Sequence, residues 1–335
     1  MIRVAINGCG RIGRLAFREM ITSTLFDIVA INDLSNAEEL AHLIKYDTIH
    51  RSFHKNAISF DDKNIIISGK KKIRVFSEKD PKNLPWKELN IDLVLECTGK
   101  FVKYEDAYAH IEAGSKKVLI SAPGKGNMKT VVNGVNNNIL DGTEQIVSAS
   151  SCTTNCLAPI LKIINDNYII NKGFMITVHS LTNDQVTLDI SHSKGISSRR
   201  GRSAFQNIIP TSTGAASSIG KVIPDLNGKM DGISYRVPTT DGSLIDVTLE
   251  LSKNTSIEDI NDTIKNNVSE AINITSDPIV SSDIIGSELG CLVDANLTKI
   301  IEVDGHQLVK LVAWYDNEAG YTCQMLRVAK DMFKN

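Results

Sequence analysis

The chain has 335 residues, more than one hydrophobic core ordinarily serves, so two domains are expected. Hydrophobic residues make up 42% and charged residues 23%, the balance of a folded globular protein, which excludes a disordered chain. A formal net charge of -2 leaves no basic field for nucleic acid or for an acidic membrane surface, so neither is expected as a partner.

In chain order, residues 2–7 form an apolar run rich in Val and Ile, which reads as a strand. It starts at the N-terminus with no basic leader and no cleavage site, so a cytoplasmic protein is expected. Residues 11–20 read as a helix, 26–31 as a strand and 36–45 as a helix. The run Lys70-Lys71-Lys72 reads as a solvated turn. Residues 91–96, 117–121 and 146–149 read as strands, with a helix over 105–113. Strands alternating with helices predict an α/β fold, a Rossmann-type parallel sheet covered on both faces. Beyond residue 150 the pattern changes. Residues 175–179, 232–237, 244–251 and 308–314 read as longer strands with few helices between them, and 317–333 has helical spacing. This predicts an α+β catalytic domain with a mixed or antiparallel sheet. No apolar run is long enough to span a membrane. Six cysteines are too sparse for a disulfide scaffold and should be free thiols. No metal site is expected.

Gly8-Cys9-Gly10-Arg11-Ile12-Gly13 is a G-x-G-x-x-G between the first strand and the first helix. The first glycine permits the tight turn, the second lets a pyrophosphate approach the backbone, and the third lets helix and strand pack closely. The helix N-terminus then offers free N–H groups to phosphate. Asp33 follows the second strand, 20 positions after Gly13. A carboxylate there accepts both adenosine ribose hydroxyls and repels a 2′-phosphate, which points to NAD rather than NADP.

Ser148-Ala149-Ser150-Ser151-Cys152-Thr153-Thr154-Asn155-Cys156 places Cys152 where a strand gives way to a helix. A thiol at a helix N-terminus is expected to have a lowered pKa. Cys156, one turn on, reads as a small packing residue. A base is needed beside the thiol, and His179 at the end of a strand is the candidate. His42, His50, His54, His110, His192 and His306 take structural readings.

Four segments, in order, resemble the glyceraldehyde-3-phosphate dehydrogenase family along the whole chain: Asn7 through Arg14, Ser150 through Cys156, His179-Ser180-Leu181-Thr182-Asn183-Asp184-Gln185, and Trp314-Tyr315-Asp316-Asn317-Glu318-Ala319-Gly320-Tyr321. The resemblance implies oxidation of glyceraldehyde 3-phosphate to 1,3-bisphosphoglycerate with NAD and inorganic phosphate. Cys152 would form the thiohemiacetal and thioester, with His179 as base. The substrate phosphate would lie on Thr182, Asp184 and Arg236, and the attacking phosphate on Ser151, Thr153, Thr213, Gly214 and Arg200, with Arg199 and Arg202 as neighbours of the same type. Thr211 through Gly214 precedes a run read as helical, which would complete an anion cradle. NAD would be held by Gly10, Arg11, Ile12, Asn32, Asp33, Thr98 and Gly99, with Asn317 on the nicotinamide carboxamide and Tyr321 beside it.

The implied domains are 1–150 plus 317–335 for the cofactor and 151–316 for catalysis. A homotetramer is implied, with residues 185–202 crossing to a neighbour. Three departures stand out. Cys9 replaces the usual phenylalanine and adds a second thiol near the cofactor; Ser191 stands where NAD-specific members often carry proline; and Thr240-Asp241-Gly242-Ser243 differs from the commoner form. The rival is an erythrose-4-phosphate dehydrogenase, whose members usually lack the threonine of Thr182 and the Thr213-Gly214 pair.

Overall fold

A computed structural model describes residues 1–192 and 195–334. Residues 193 and 194, within the 185–202 stretch, and residue 335, the end of the 317–335 segment, lie outside the described residues. The chain divides into two compact units. One comprises residues 1–131, 137–151 and the segment from Met325 onward; the other comprises 132–136 and 152–324. Residues 317–324 thus group with the second unit.

The first unit carries nine strands: β1 Ile2–Asn7, β2 Phe26–Asn32, β3 Ile58–Asp61, β4 Asn64–Ile67, β5 Lys71–Phe76, β6 Leu93–Glu96, β7 Lys117–Ile120, β8 Lys129–Thr130 and β9 Ile146–Ser148. Their order across the sheet is 3-4-5-2-1-6-7-9-8. Every neighbouring pair is parallel except β3–β4 and β4–β5. The sheet is therefore the expected Rossmann type. The β3–β5 meander was not foreseen, because its short strands are interrupted by the polar turns at 62–63 and 68–70. Lys71 and Lys72 open β5 rather than lying in a turn, and they pair with Asp27 and Asp61.

Helices α1 Arg11–Ile21, α2 Ala37–Lys45, α3 Tyr104–Ala107 and α4 Ala109–Glu112 connect these strands. The helix expected over 105–113 is interrupted at Tyr108. Asn36 starts α2 with a capping box, its Oδ1 accepting from Glu39 N–H while Glu39 accepts from Asn36 N–H. Buried residues of β1 alternate between the two faces. Val4 and Ile6 pack with Phe17, Met20 and Leu40, while Ala5 packs with Trp86, Ile91 and Val94.

The second unit holds α5 Cys152–Tyr168 and eight strands: β10 Ile170–His179, β11 Ile209–Ser212, β12 Met230–Arg236, β13 Ser243–Leu251, β14 Ile272–Thr275, β15 Cys291–Asp294, β16 Lys299–Val303 and β17 His306–Tyr315. β10–β12 and β14–β15 are parallel and the rest antiparallel, the mixed sheet expected. α6 Ile257–Lys265 completes this unit's own helices, and α7 Ala319–Asp331 begins in this unit and ends in the first, from Met325 onward. One sheet face buries Met175, Ile245, Val247, Leu249 and Leu311 against Leu157, Leu161 and Ile164 of α5. The other face leaves Phe174 70% exposed, with Ile176 and Ile233 also exposed. Among the described residues no helix is long and apolar enough to cross a membrane.

Candidate active site

Cys152 is the first residue of α5. The chain reaches it from β9 through Ser150, whose φ of 61° lies in the left-handed region. The Cys152 Sγ lies 3.4 Å from His179 Nε2, at the end of β10. His179 Nδ1 is 2.8 Å from the Ser180 carbonyl and 2.8 Å from Arg236 Nη1. Arg236 Nη1 carries two hydrogens and has two oxygen acceptors nearby, Ser180 O at 3.1 Å and Thr182 Oγ1 at 3.0 Å. Nδ1–H is therefore assigned as donor to Ser180 O, and Nε2 turns its lone pair to the thiol.

Burial first, and then the adjacent Arg236 charge, depress the His179 pKa to about 3, so the imidazole is neutral at ordinary pH. The expected lowering of the Cys152 pKa is not found. Burial pushes this thiol up, outweighing the pull of Arg236 and the Thr153 hydrogen bonds. The resting pair is thus a thiol beside a neutral base. Cys9 is buried and pushed up by that burial, so the extra thiol stays protonated at ordinary pH; Cys97 is pushed up to about 12 for the same reason. Cys156 lies in the core, as read.

Behind the pair, Tyr315 OH hydrogen-bonds Thr153 Oγ1 at 3.0 Å and Thr177 Oγ1 at 2.9 Å, and its ring meets the His179 ring edge-on. Thr153 therefore turns its hydroxyl to Tyr315. The side chains of Thr182, Asp184, Arg200 and Arg236 come together. Asp184 accepts from Thr182 Oγ1 and from Arg200, while Arg200 Nε also reaches Thr211 Oγ1 at 3.2 Å. Burial alone would raise the Asp184 carboxyl, but Thr182, Arg200 and Arg236 hold it below the usual range. Arg199 instead reaches Pro210 O, and Arg202 pairs with Asp189. Two guanidinium groups against one carboxylate leave a net positive cluster, and Arg236 Nε is a buried donor without a partner among the described residues. Both features suit an anion. Thr213 Oγ1 accepts from Ala215 N–H, and space above Gly214 is open. The run expected to be helical after Gly214 is a turn followed by the short 3-10 helix Ile219–Lys221, so the cradle there has no α-helical N-terminus.

Ser180 and Ser243 were missed as site residues. Their hydroxyls both donate to Asn317 Oδ1 at 2.6 Å, which orients the amide so that its NH2 is the end available to a ligand. This gives the unusual 240–243 stretch an account. Gly242 has φ 81°, and a Cβ there would meet Ser281 O at 2.0 Å, so only glycine lets the chain deliver Ser243. Tyr321 is buried on α7.

In the first unit the glycine loop fits a dinucleotide. A Cβ on Gly8 would lie 2.7 Å from Thr98 N, and one on Gly13 would lie 2.1 Å from Gly8 O. Above Gly10 nothing lies within 4 Å, and Gly10 precedes α1 without any side-chain cap, leaving its N–H groups for phosphate. Asp33 accepts from Cys9 N–H and Ser35 N–H. The Arg11 guanidinium pairs with Asp47, away from the glycine turn. The Asn32 amide is held by Asn7 and Glu78.

A thiol with a neutral imidazole to receive its proton, in a chain that also carries a dinucleotide loop, defines an NAD-dependent oxidoreductase. The profile of the glyceraldehyde 3-phosphate dehydrogenase NAD binding domain matches residues 2–104, and that of the C-terminal domain matches residues 151–317. The chain is 53% identical over 327 residues to a glyceraldehyde-3-phosphate dehydrogenase of Clostridium pasteurianum, covering 98% of this chain and 97% of that one. It is 52% identical to one of Clostridium acetobutylicum over the same shares, and 48% identical over 328 residues to one of Streptococcus pyogenes, again covering 98% and 97%. The chain belongs to the glyceraldehyde-3-phosphate dehydrogenase family.

Proposed function

We propose that this protein oxidises glyceraldehyde 3-phosphate to 1,3-bisphosphoglycerate, with Cys152 as nucleophile and His179 as base. The observation that carries this reading is the 3.4 Å approach of Sγ to Nε2, with Arg236 on the far side of the ring. As Cys152 attacks the aldehyde carbon, its proton passes to Nε2. The thiohemiacetal oxygen then faces the Cys152 N–H and the imidazole, which stabilise its charge. NAD, when bound, would supply the hydride acceptor for this carbon. The resulting thioester is cleaved by inorganic phosphate.

The substrate phosphate lies on Thr182 and Arg236, with Asp184 holding Thr182 in place. The attacking phosphate lies near Ser151, Thr153, Thr213 and Gly214, with Arg200 as the guanidinium shared by both. Arg200 is favoured over Arg199 and Arg202 because its partners are Asp184 and Thr211. A dianion on Arg236 offsets the charge that depresses His179, so substrate binding strengthens the base. NAD would be held by the loop at Gly10, Arg11 and Ile12, by Asp33 with Asn32 behind it, and by the backbone of Thr98 and Gly99, the Thr98 hydroxyl being bonded to Glu96. The Asn317 NH2 would hold the nicotinamide carboxamide, with Tyr321 beside it. The first unit serves the cofactor and the second the chemistry. A cytoplasmic homotetramer without nucleic-acid or membrane partners fits the charge of -2 and the exposed apolar sheet face around Phe174.

The test is NADH formation with glyceraldehyde 3-phosphate and with erythrose 4-phosphate, each with and without inorganic phosphate, and with NADP in parallel. The triose with phosphate and NAD is expected to be fastest, and Cys152→Ser inactive. Activity persisting in Cys152→Ser, or rates indifferent to phosphate, would overturn the reading.

A further inference from the structure

The first sheet adds strands outward from β1 to β2 on one side, then returns to β6 on the other. Open α/β sheets bind ligands beyond the carboxyl ends of the strands at such a reversal. Here those two ends are Asn7 and Glu96, which are register partners. Glu96 is buried and plays no part in the site described so far.

Its carboxylate receives four hydrogen bonds, none of them from a Lys or Arg. Oε1 accepts from Thr98 N–H at 2.8 Å and from the Thr98 hydroxyl. Oε2 accepts from Asn7 Nδ2 at 2.5 Å and from His110 Nε2 at 3.1 Å. The direction of the last bond is fixed by Trp86, whose indole can only donate. Its Nε1–H lies 3.0 Å from His110 Nδ1, so Nδ1 accepts and the ring hydrogen sits on Nε2. The other arm of Asn7 extends the chain of bonds, because its Oδ1 accepts from Asn32 Nδ2 at 2.7 Å.

The ends of this network coincide with the roots of three loops. Asn7 precedes Gly8, Asn32 precedes Asp33, and Thr98 precedes Gly99. Gly8 and Thr98 are in backbone contact, as the 2.7 Å clash of a Gly8 Cβ indicates. A shift of either loop would break a bond to the same carboxylate. A buried carboxylate left short of donors is costly, so the arrangement resists such a shift.

We propose that Glu96 is a positioning residue for NAD, locking the glycine loop and the 98–99 turn in the spacing the dinucleotide needs. The inference rests on the reading of Gly10 to Ile12, Asp33, Thr98 and Gly99 as the cofactor site.

In Glu96→Gln an amide NH2 replaces one oxygen and meets donors on both sides. Titrating the full-length protein with NAD, followed by protein fluorescence, is expected to give a dissociation constant at least tenfold weaker than the parent. The KM for glyceraldehyde 3-phosphate should stay within about twofold. Thr98→Val removes one hydroxyl arm and should weaken NAD about threefold. The double variant should bind no worse than Glu96→Gln alone, because both act through one carboxylate. A Glu96→Gln protein that binds NAD within twofold of the parent overturns the proposal, whatever its melting temperature. Should that variant not fold, Thr98→Val decides, and unchanged binding there overturns it. Asp33→Ala is the control on the site. If it leaves NAD binding unchanged, the cofactor-site reading falls and takes the proposal with it. If it weakens binding while Glu96→Gln does not, the positioning role alone is wrong.

Discussion

Replacing Arg236 by methionine keeps most of the aliphatic stem and removes the charge beside His179. Arg236 Nη1 lies 2.8 Å from Nδ1, and its charge is the second cause, after burial, of a histidine pKa depressed from 6.5 to about 3. Two unit charges 4 Å apart interact by about 4 kcal/mol at an effective dielectric constant of 20, which sets a ceiling near three pKa units. Burial remains the larger cause, so His179 in Arg236→Met should titrate above 3 but still below its ordinary 6.5. Cys152 should move further up, since Arg236 is one of the groups that pull its thiol down. Nitrogen-detected NMR of the imidazole reads the first shift, and the pH profile of iodoacetamide alkylation reads the second. Loss of the charged donor to the substrate phosphate should also lower kcat/KM by about 10- to 150-fold, from about 1.5–3 kcal/mol for a hydrogen bond to a charged group. A His179 titration unmoved by Arg236→Met, or moved down, would refute the electrostatic coupling of substrate site and base.

Three further outcomes can be measured. His179 sits below its unfolded pKa, so between about pH 6.5 and 3 the unfolded chain binds the extra proton. The unfolding free energy from urea melts should fall as pH drops through that window, by up to about 1.4 kcal/mol per pH unit; His179→Asn should flatten the slope, and an unchanged slope would contradict the assignment. Asp241 is raised to about 9, by burial and then by Asp316 and Glu318. The folded state therefore holds its proton between about pH 4 and 9, and its unfavourable contribution grows as pH rises through that interval; thermal melts of Asp241→Asn should show their largest relative gain near pH 8, and a gain independent of pH would count against this. Lys117 Nζ caps the end of α7 by donating to Met332 O at 2.7 Å and to Gly142 O, so Lys117→Met should cost about 1–2 kcal/mol in urea unfolding with kinetics unaltered; a neutral result would remove the cap from the account.

The adjacency of Cys152 and His179 could be read from the sequence, because each motif ends an element: one at the head of a helix, the other at the tail of a strand. The direction of the thiol pKa could not. It depends on how completely the fold encloses the sulfur and on Arg236, which comes from a strand more than 50 residues further along. The backbone N–H groups at the head of α5 do pull the thiol down, but burial is the larger, opposing cause. The motif names Asn317, but Ser180 and Ser243, which orient its amide, meet only when β10 and β13 pair. Glu96 and His110 were invisible for a similar reason. One reads as the last residue of an apolar strand and the other as a structural histidine, and Trp86, Asn7 and Thr98 lie elsewhere in the chain. The parallel sheet was legible in its strand–helix alternation; the β3–β5 meander was not, since its short strands are broken by polar turns and β5 opens on two lysines.

The open side of the mixed sheet bears on the protein's history before it ever meets substrate. A newly made chain shows Phe174, Ile176 and Ile233 to solvent on paired, twisted strands, a surface to which other partly folded chains can adhere. Its yield in the soluble state should consequently fall as the concentration of folding chains rises, and a polar residue in place of Phe174 should restore it.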